Sequence, residues 1–210
     1  IFLKKNNNFT DKLFWCFYKL LNNLLDKDLE HENCFKLEKD FKYGIVEKIR
    51  KNKSLLKSAK IRKFNVEDDL INNKCITLQT FECLCLIHNL NVILIKNNAY
   101  TCYCYDLDNK TININNYKII ELDCGEKNEN NNYKINKVEI LDKIAEYELQ
   151  DRINKMFYIE NLEKPLKAFS SYKLDELISI SEKLNINIYD TNNKKRKKQE
   201  LYSDILNYLK

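Results

Sequence analysis

Thr77-Leu78-Gln79-Thr80-Phe81-Glu82-Cys83-Leu84-Cys85, followed closely by Asn91-Val92-Ile93-Leu94-Ile95-Lys96-Asn97-Asn98-Ala99-Tyr100-Thr101-Cys102-Tyr103, decides the fold class. Thr77 is a residue type that accepts hydrogen bonds from the free amides of a helix's first turn, and Leu78, Phe81, Cys85 and His88 then recur on one helical side. At Asn91 the pattern changes. Val92 to Ile95 is a short apolar run rich in β-branched residues, Asn97-Asn98 is a turn pair, and Tyr100 to Tyr105 reads as an aromatic strand. Segments 111–115 and 117–122 read as two further strands. The class is therefore α+β, with helices packed on a small β-sheet.

Working back from this stretch, Leu13, Phe14, Phe17, Leu20, Leu21, Leu24 and Leu25 fall at helical spacing after a capping Thr10 or Asp11. Leu37, Phe41, Ile45 and Ile49 repeat the pattern over 36–51, closing in basic residues that suit a helix carboxy terminus. A short helix is expected over 66–72. Working forward, 126–132 is a polar loop, and Val138, Leu141, Ile144, Ala145 and Ile153 predict one long helix over about 137–157. Pro165 closes that part. Two amphipathic helices follow, about 173–185 and 198–209, sharing Leu166, Leu174, Leu177, Ile178, Leu184, Ile186, Leu201, Ile205, Leu206 and Leu209 as an apolar core. The expected division is an α/β domain over 1–160 and a two-helix carboxy-terminal module over 161–210.

Composition excludes several function classes. The 210 residues contain only two glycines, Gly44 and Gly125, and one proline. A glycine-rich loop that brings the backbone against a phosphate is therefore missing, and no nucleotide cofactor is expected. Hydrophobic residues at 44% leave enough for a core beside 32% charged residues. The 30 asparagines, with abundant Lys and Ile, point to AT-rich coding. No apolar run reaches the roughly 18 residues of a membrane helix and the start reads as no signal peptide, so the expected location is intracellular, with no membrane partner. The missing initial Met reads as a fragment or a processed start.

Eight cysteines stand at 16, 34, 75, 83, 85, 102, 104 and 124. No C-x2-C pair occurs and the two histidines lack finger spacing, so no metal site is expected. Cys83/Cys85 and Cys102/Cys104 are C-x-C pairs, which share a face on a strand and diverge by about 200° on a helix. Most of these cysteines read as small core hydrophobes.

The strongest charge feature is Lys194-Lys195-Arg196-Lys197-Lys198, at the entrance of the last helix. From 165 to 210 there are nine Lys and Arg against six Asp and Glu, and a helix amino terminus preceded by cations suits phosphate. With Tyr172-Lys173-Leu174-Asp175-Glu176-Leu177, Leu184-Asn185-Ile186 and Lys198-Gln199-Glu200-Leu201-Tyr202, this tail resembles the helix-extended-loop-helix modules of the SAP type and of the Rho amino-terminal domain. The resemblance implies contact with a DNA or RNA phosphate backbone by Lys197 and Lys198, and the candidate set is Lys173, Lys194, Lys195, Arg196, Lys197 and Lys198. The interhelix segment is longer than in typical SAP modules and lacks their glycine.

Asp11-Lys12-Leu13-Phe14-Trp15-Cys16-Phe17-Tyr18 places a cysteine near a helix start, where the helix dipole lowers a thiol pKa. A cysteine-headed helix, basic helices, and then a helix feeding an apolar strand are similar in layout to OTU-type cysteine peptidases over about 11–122. That resemblance implies Cys16 as nucleophile, with His88 or His31 as base. The strands expected to carry the base hold no histidine, and His88 falls on an apolar helix side, so no catalytic residue is assigned and the domain reads as an inactive relative that binds a protein partner. In style the chain is similar to proteins of large AT-rich DNA viruses. The leading expectation is a nucleic-acid-binding accessory or virion protein, in the host cytoplasm, viral factory or virion. The alternatives are a deubiquitinase-type peptidase and a protein-interaction scaffold.

Overall fold

The computed structural model describes residues 9–30, 32–103, 116–127, 133–141, 146–161 and 164–209. His31, Cys104 and the segment 111–115 lie outside the described residues. The fold is α+β. In chain order it runs α1 (Lys12–Asn22), α2 (Cys34–Lys51), α3 (Lys53–Ser58), α4 (Lys63–Asn72), α5 (Leu78–Ile87), β1 (Val92–Lys96), β2 (Ala99–Tyr103), β3 (Lys118–Lys127), β4 (Tyr133–Ile140), α6 (Glu146–Lys155), β5 (Phe157–Tyr158), α7 (Leu174–Lys183) and α8 (Lys198–Leu209). Contacts divide the chain into two compact units. The first is built on the chain up to Val92, and the second on Ile93–Cys102, β3 and the chain beyond Leu141. The first of these boundaries falls at the start of β1.

In the first unit, α1 buries Leu13, Phe14, Trp15, Cys16, Phe17 and Leu20, so it is apolar on nearly every side. A helix of that kind is stable only when enclosed. Asn23 at φ 51° ends it, two residues before the apolar spacing runs out at Leu25. A buried carboxylate organises the unit. Asp11, 1% exposed, accepts from the Phe14 amide at 3.1 Å, the Lys42 ammonium at 2.8 Å and the Ile76 amide at 3.0 Å. It thus caps α1, anchors α2 and fixes the approach to α5. Lys42 Nζ also donates to Glu38 at 2.7 Å, and the second Glu38 oxygen accepts from the Trp15 indole at 2.9 Å. Asp69 does similar work beside it, accepting from the Thr77 amide at 2.7 Å and from its hydroxyl at 2.8 Å, so the α5 cap is itself held in place.

The strands pair in the order β4-β3-β1-β2-β5. All five residues of β1 are buried, the signature of a strand covered on both faces. Asn97 takes φ 55° between β1 and β2, which matches the expected turn. The two-residue β5 lies parallel to β2, pairing Ala99 with Phe157 and Tyr100 with Tyr158. The sequence contains too weak a pattern for so short a strand.

One expected element is corrected. Among the described residues, the long helix expected over 137–157 is seen as α6, while 137–140 belongs to β4. Val138 and Leu141 fit helical spacing, but Ile135, Val138 and Ile140 are β-branched and β3 offers them a ladder. The Leu141 amide donates to the Ile119 carbonyl at 2.9 Å, and Gly125 sits against Asn136. These contacts run in opposite senses along the two strands, as antiparallel pairing requires. Strand pairing overrides local periodicity here. β3 also runs to Lys127, into residues expected to be loop.

Cys83 and Cys85 lie on α5 and are both fully buried. Burial first, then the charge of Glu82, pushes the Cys83 thiol up to about 12, and Cys85 is raised well above the ordinary thiol value for the same first reason. Cys75 is exposed. Brief treatment of the folded protein with a disulfide reagent, mapped by mass spectrometry, should therefore modify Cys75 well before Cys83 or Cys85, because only the accessible thiolate reacts. Equal rates at Cys75 and Cys83 in the folded protein would contradict the packing described.

Candidate nucleic-acid interface

α7 and α8 form a helix pair whose shared core is Leu177, Ile180, Leu184, Leu201, Ile205 and Leu209, all buried. The Lys173 amide donates to Glu176 at 2.6 Å and closes the start of α7. At the far end, the buried Lys96 ammonium of β1 donates to the Leu209 carbonyl at 3.1 Å, where a cation suits the carboxy-terminal end of the α8 dipole. The pair is thus tied to the sheet of the second unit.

The connection between the helices carries the basic run, and its geometry sorts the five cations. Asp190 forms a tight turn, its Oδ1 accepting from the amides of Asn192 and Lys194 at 2.8 Å each. Tyr189 and Lys195 face each other in an antiparallel bridge. The flanking bonds run from the Asp190 amide to the Lys194 carbonyl at 2.9 Å and from the Arg196 amide to the Ile188 carbonyl at 3.0 Å. They leave Tyr189 and Lys195 as a non-hydrogen-bonded pair, the arrangement that brings opposite side chains closest. Extended backbone alternates its sides. Arg196 turns back toward the helices, donating to the Asn187 carbonyl at 3.0 Å and pairing with Asp204 of α8, with its side chain 19% exposed. Lys195 and Lys197 turn the other way, and Lys194 stands exposed at the turn.

Lys198 is different again. It is half-buried, and its ammonium sits 4.3 Å from the centre of the Phe169 ring, a cation–π contact. Phe169 meets Tyr202 edge-on at 5.4 Å, and the Tyr202 hydroxyl donates to the Lys167 carbonyl at 2.9 Å. Glu200 occupies the first turn of α8 and accepts from the Lys197 amide at 3.1 Å. The helix entrance therefore holds its own anion. The structure brings Lys194, Lys195 and Lys197 to the surface beside Tyr189, assigns Arg196 to the hairpin's own stability, and leaves Lys173 exposed at the head of α7. Sequence reading missed the hairpin, although Asp190-Thr191-Asn192-Asn193 is a run of turn-forming residues that announced it.

The peptidase constellation looks different in the structure. Cys16 lies past the first turn of α1, where the dipole's effect has decayed, and is 3% exposed. His88 follows α5, its ring edge-on to Phe17 at 5.5 Å and stacked on Phe41 at 5.9 Å. Its buried Nε2 has no hydrogen-bond partner among the described residues. Burial, and then the nearby Lys48 charge, lowers its pKa to about 4, whereas a general base for thiol chemistry works best near the operating pH. Among the described residues, no three His, Cys, Asp or Glu side chains come together as a metal cluster, and no helix is long and apolar enough to cross a membrane. No protein-family model matches the chain, and neither do any curated protein or solved structure.

Proposed function

We propose that this protein binds nucleic acid through the phosphate backbone, using the exposed hairpin cations Lys194, Lys195 and Lys197. The observation that supports this reading is the alternation around Arg196. One cation is consumed by Asp204 while its neighbours on both sides are exposed, and among the described residues their ammonium groups pair with no carboxylate. A basic run kept only for solubility has no need of a hairpin that fixes which way each residue faces. Lys173 and Lys198 contribute less, the first as an added surface charge and the second because Phe169 already engages it. Binding of this kind is weak in sequence preference and strongly salt-dependent.

The test is a titration of the full chain with labelled duplex at several salt concentrations. Replacing Lys194, Lys195 and Lys197 together by Ala should lower the slope of log K against log salt by roughly 2 to 3 units, since each neutralised phosphate contributes about 0.9. Arg196→Ala should behave differently. It unpairs Asp204 and loosens the hairpin, so it should cost about 1 kcal/mol in unfolding free energy. An unchanged slope and affinity in the triple variant would remove these cations from any nucleic-acid contact.

A further inference from the structure

The first unit carries an open groove of about 480 Å³ between α2 and α4. Its walls hold three large apolar side chains left in water: Phe35 is 78% exposed, Tyr43 51% and Ile71 48%. Isolated exposed apolar residues are ordinary, but a cluster of them lining one concavity marks a contact surface. Phe35, Lys39 and Tyr43 stand four residues apart along α2, so the apolar ends of this wall are about 12 Å apart at 1.5 Å per residue. A helix presenting anchors at i, i+4 and i+7 spans about 10.5 Å on the same rise, which matches that spacing.

The charges select the partner. The polar groups at the floor are satisfied: Glu38 accepts from Lys42 and Trp15, and Lys42 is shared between Glu38 and Asp11. The floor therefore leaves no unmet carboxylate that would call for a small polar ligand. At the rim stand Lys39, its ammonium 5.9 Å from the Tyr43 ring centre, and Lys74 just beyond α4. Among the described residues neither pairs with a carboxylate. A second copy of this chain meeting the groove two-fold would set lysine rim against lysine rim, which opposes self-association. We infer that the α2/α4 groove docks an acidic amphipathic helix of a partner protein, with apolar anchors between Phe35, Tyr43 and Ile71 and carboxylates on Lys39 and Lys74.

The experiment pans a phage library of random 16-residue peptides on the full chain. Enriched peptides should share apolar residues at helical spacing and a net negative charge, and a synthetic copy of one should gain helicity on binding. Its affinity should fall about tenfold or more in Phe35→Ser or Ile71→Ser, the scale of losing one buried apolar anchor, and fall again in Lys39→Glu with Lys74→Glu. These residues are exposed, and unchanged urea unfolding of each variant would confirm that the fold survives. Failure to enrich any peptide overturns the inference, as does selection of neutral or basic peptides or binding indifferent to Phe35→Ser. Displacement of the peptide by an oligonucleotide, or a concentration-dependent dimer abolished by Phe35→Ser, would likewise assign the groove to another occupant and overturn it.

Discussion

Asp11→Ala should destabilise the protein by about 3–5 kcal/mol, the scale for breaking a buried ion pair by removing one partner. Three losses coincide at that position. The α1 amide of Phe14 loses its cap, the buried Ile76 amide loses its acceptor, and Lys42, its side chain 8% exposed, keeps Glu38 and the Phe14 ring but loses its most buried anion. Burial lifts the Asp11 carboxyl above its ordinary value against the pull of Lys42 and the Phe14 and Ile76 amides, so the donors offset the cost of holding the charge only in part. For Lys42, burial works to lower the ammonium and the two carboxylates outweigh it, leaving it raised. Replacing the pair together, Asp11→Asn with Lys42→Met, should restore part of the loss by removing the stranded cation. Urea unfolding with an unchanged m-value measures both variants. A loss below 1 kcal/mol in Asp11→Ala would mean that this network does not organise the unit.

Acid should weaken the fold through His88. Its folded pKa, about 4, lies below the ordinary 6.5, so the folded state prefers the neutral ring and the unfolded state takes up a proton first. The sign follows: this contribution is complete above pH 6.5, shrinks as pH falls toward 4, and changes no further below that. The ring is only partly buried, so solvent screening of the charged form reduces the contribution below the full value of the shift. Carboxylates titrate over part of the same range, so the informative quantity is the difference between wild type and His88→Phe. A phenyl ring keeps the contacts with Phe17 and Phe41, removes the buried Nε2 that has no partner among the described residues, and does not titrate. The variant should match or exceed wild type at pH 7, and its advantage should grow as pH falls from 6.5 to 4. Parallel stability curves would show that the ring is solvated when charged. The same measurement bears on the peptidase alternative, because an imidazole that stays neutral to pH 4 is a poor proton acceptor for a thiol.

How much of this was legible beforehand depends on whether the cause was local. α1, α2 and α5 were read because capping residues and 3.6-residue spacing agree within each segment. β1 and β2 were read because a β-branched run, an Asn-Asn turn and an aromatic run are adjacent in the chain. β4 was misread because its deciding partner is β3. β5 was invisible because two residues carry no period. At the candidate interface, the five cations were visible as a block, but their roles were not. Only the Tyr189 and Lys195 bridge reveals that Arg196 faces Asp204 while Lys195 and Lys197 face water.

By itself the sequence determined the α+β class, the paired helices at the carboxy terminus and the absence of a glycine-rich phosphate loop, because composition and local period are properties of the chain. Tertiary structure alone decided that Asp11 is a buried hub and that Cys16 is enclosed. It alone places Phe35, Tyr43 and Ile71 around one groove, since those facts depend on residues far apart in sequence meeting in space. Asp11 shows the difference most plainly. As a sequence feature it is one of two adjacent caps for a helix, and only the arrival of Lys42 and Ile76 at its second oxygen turns it into the residue on which the first unit is assembled.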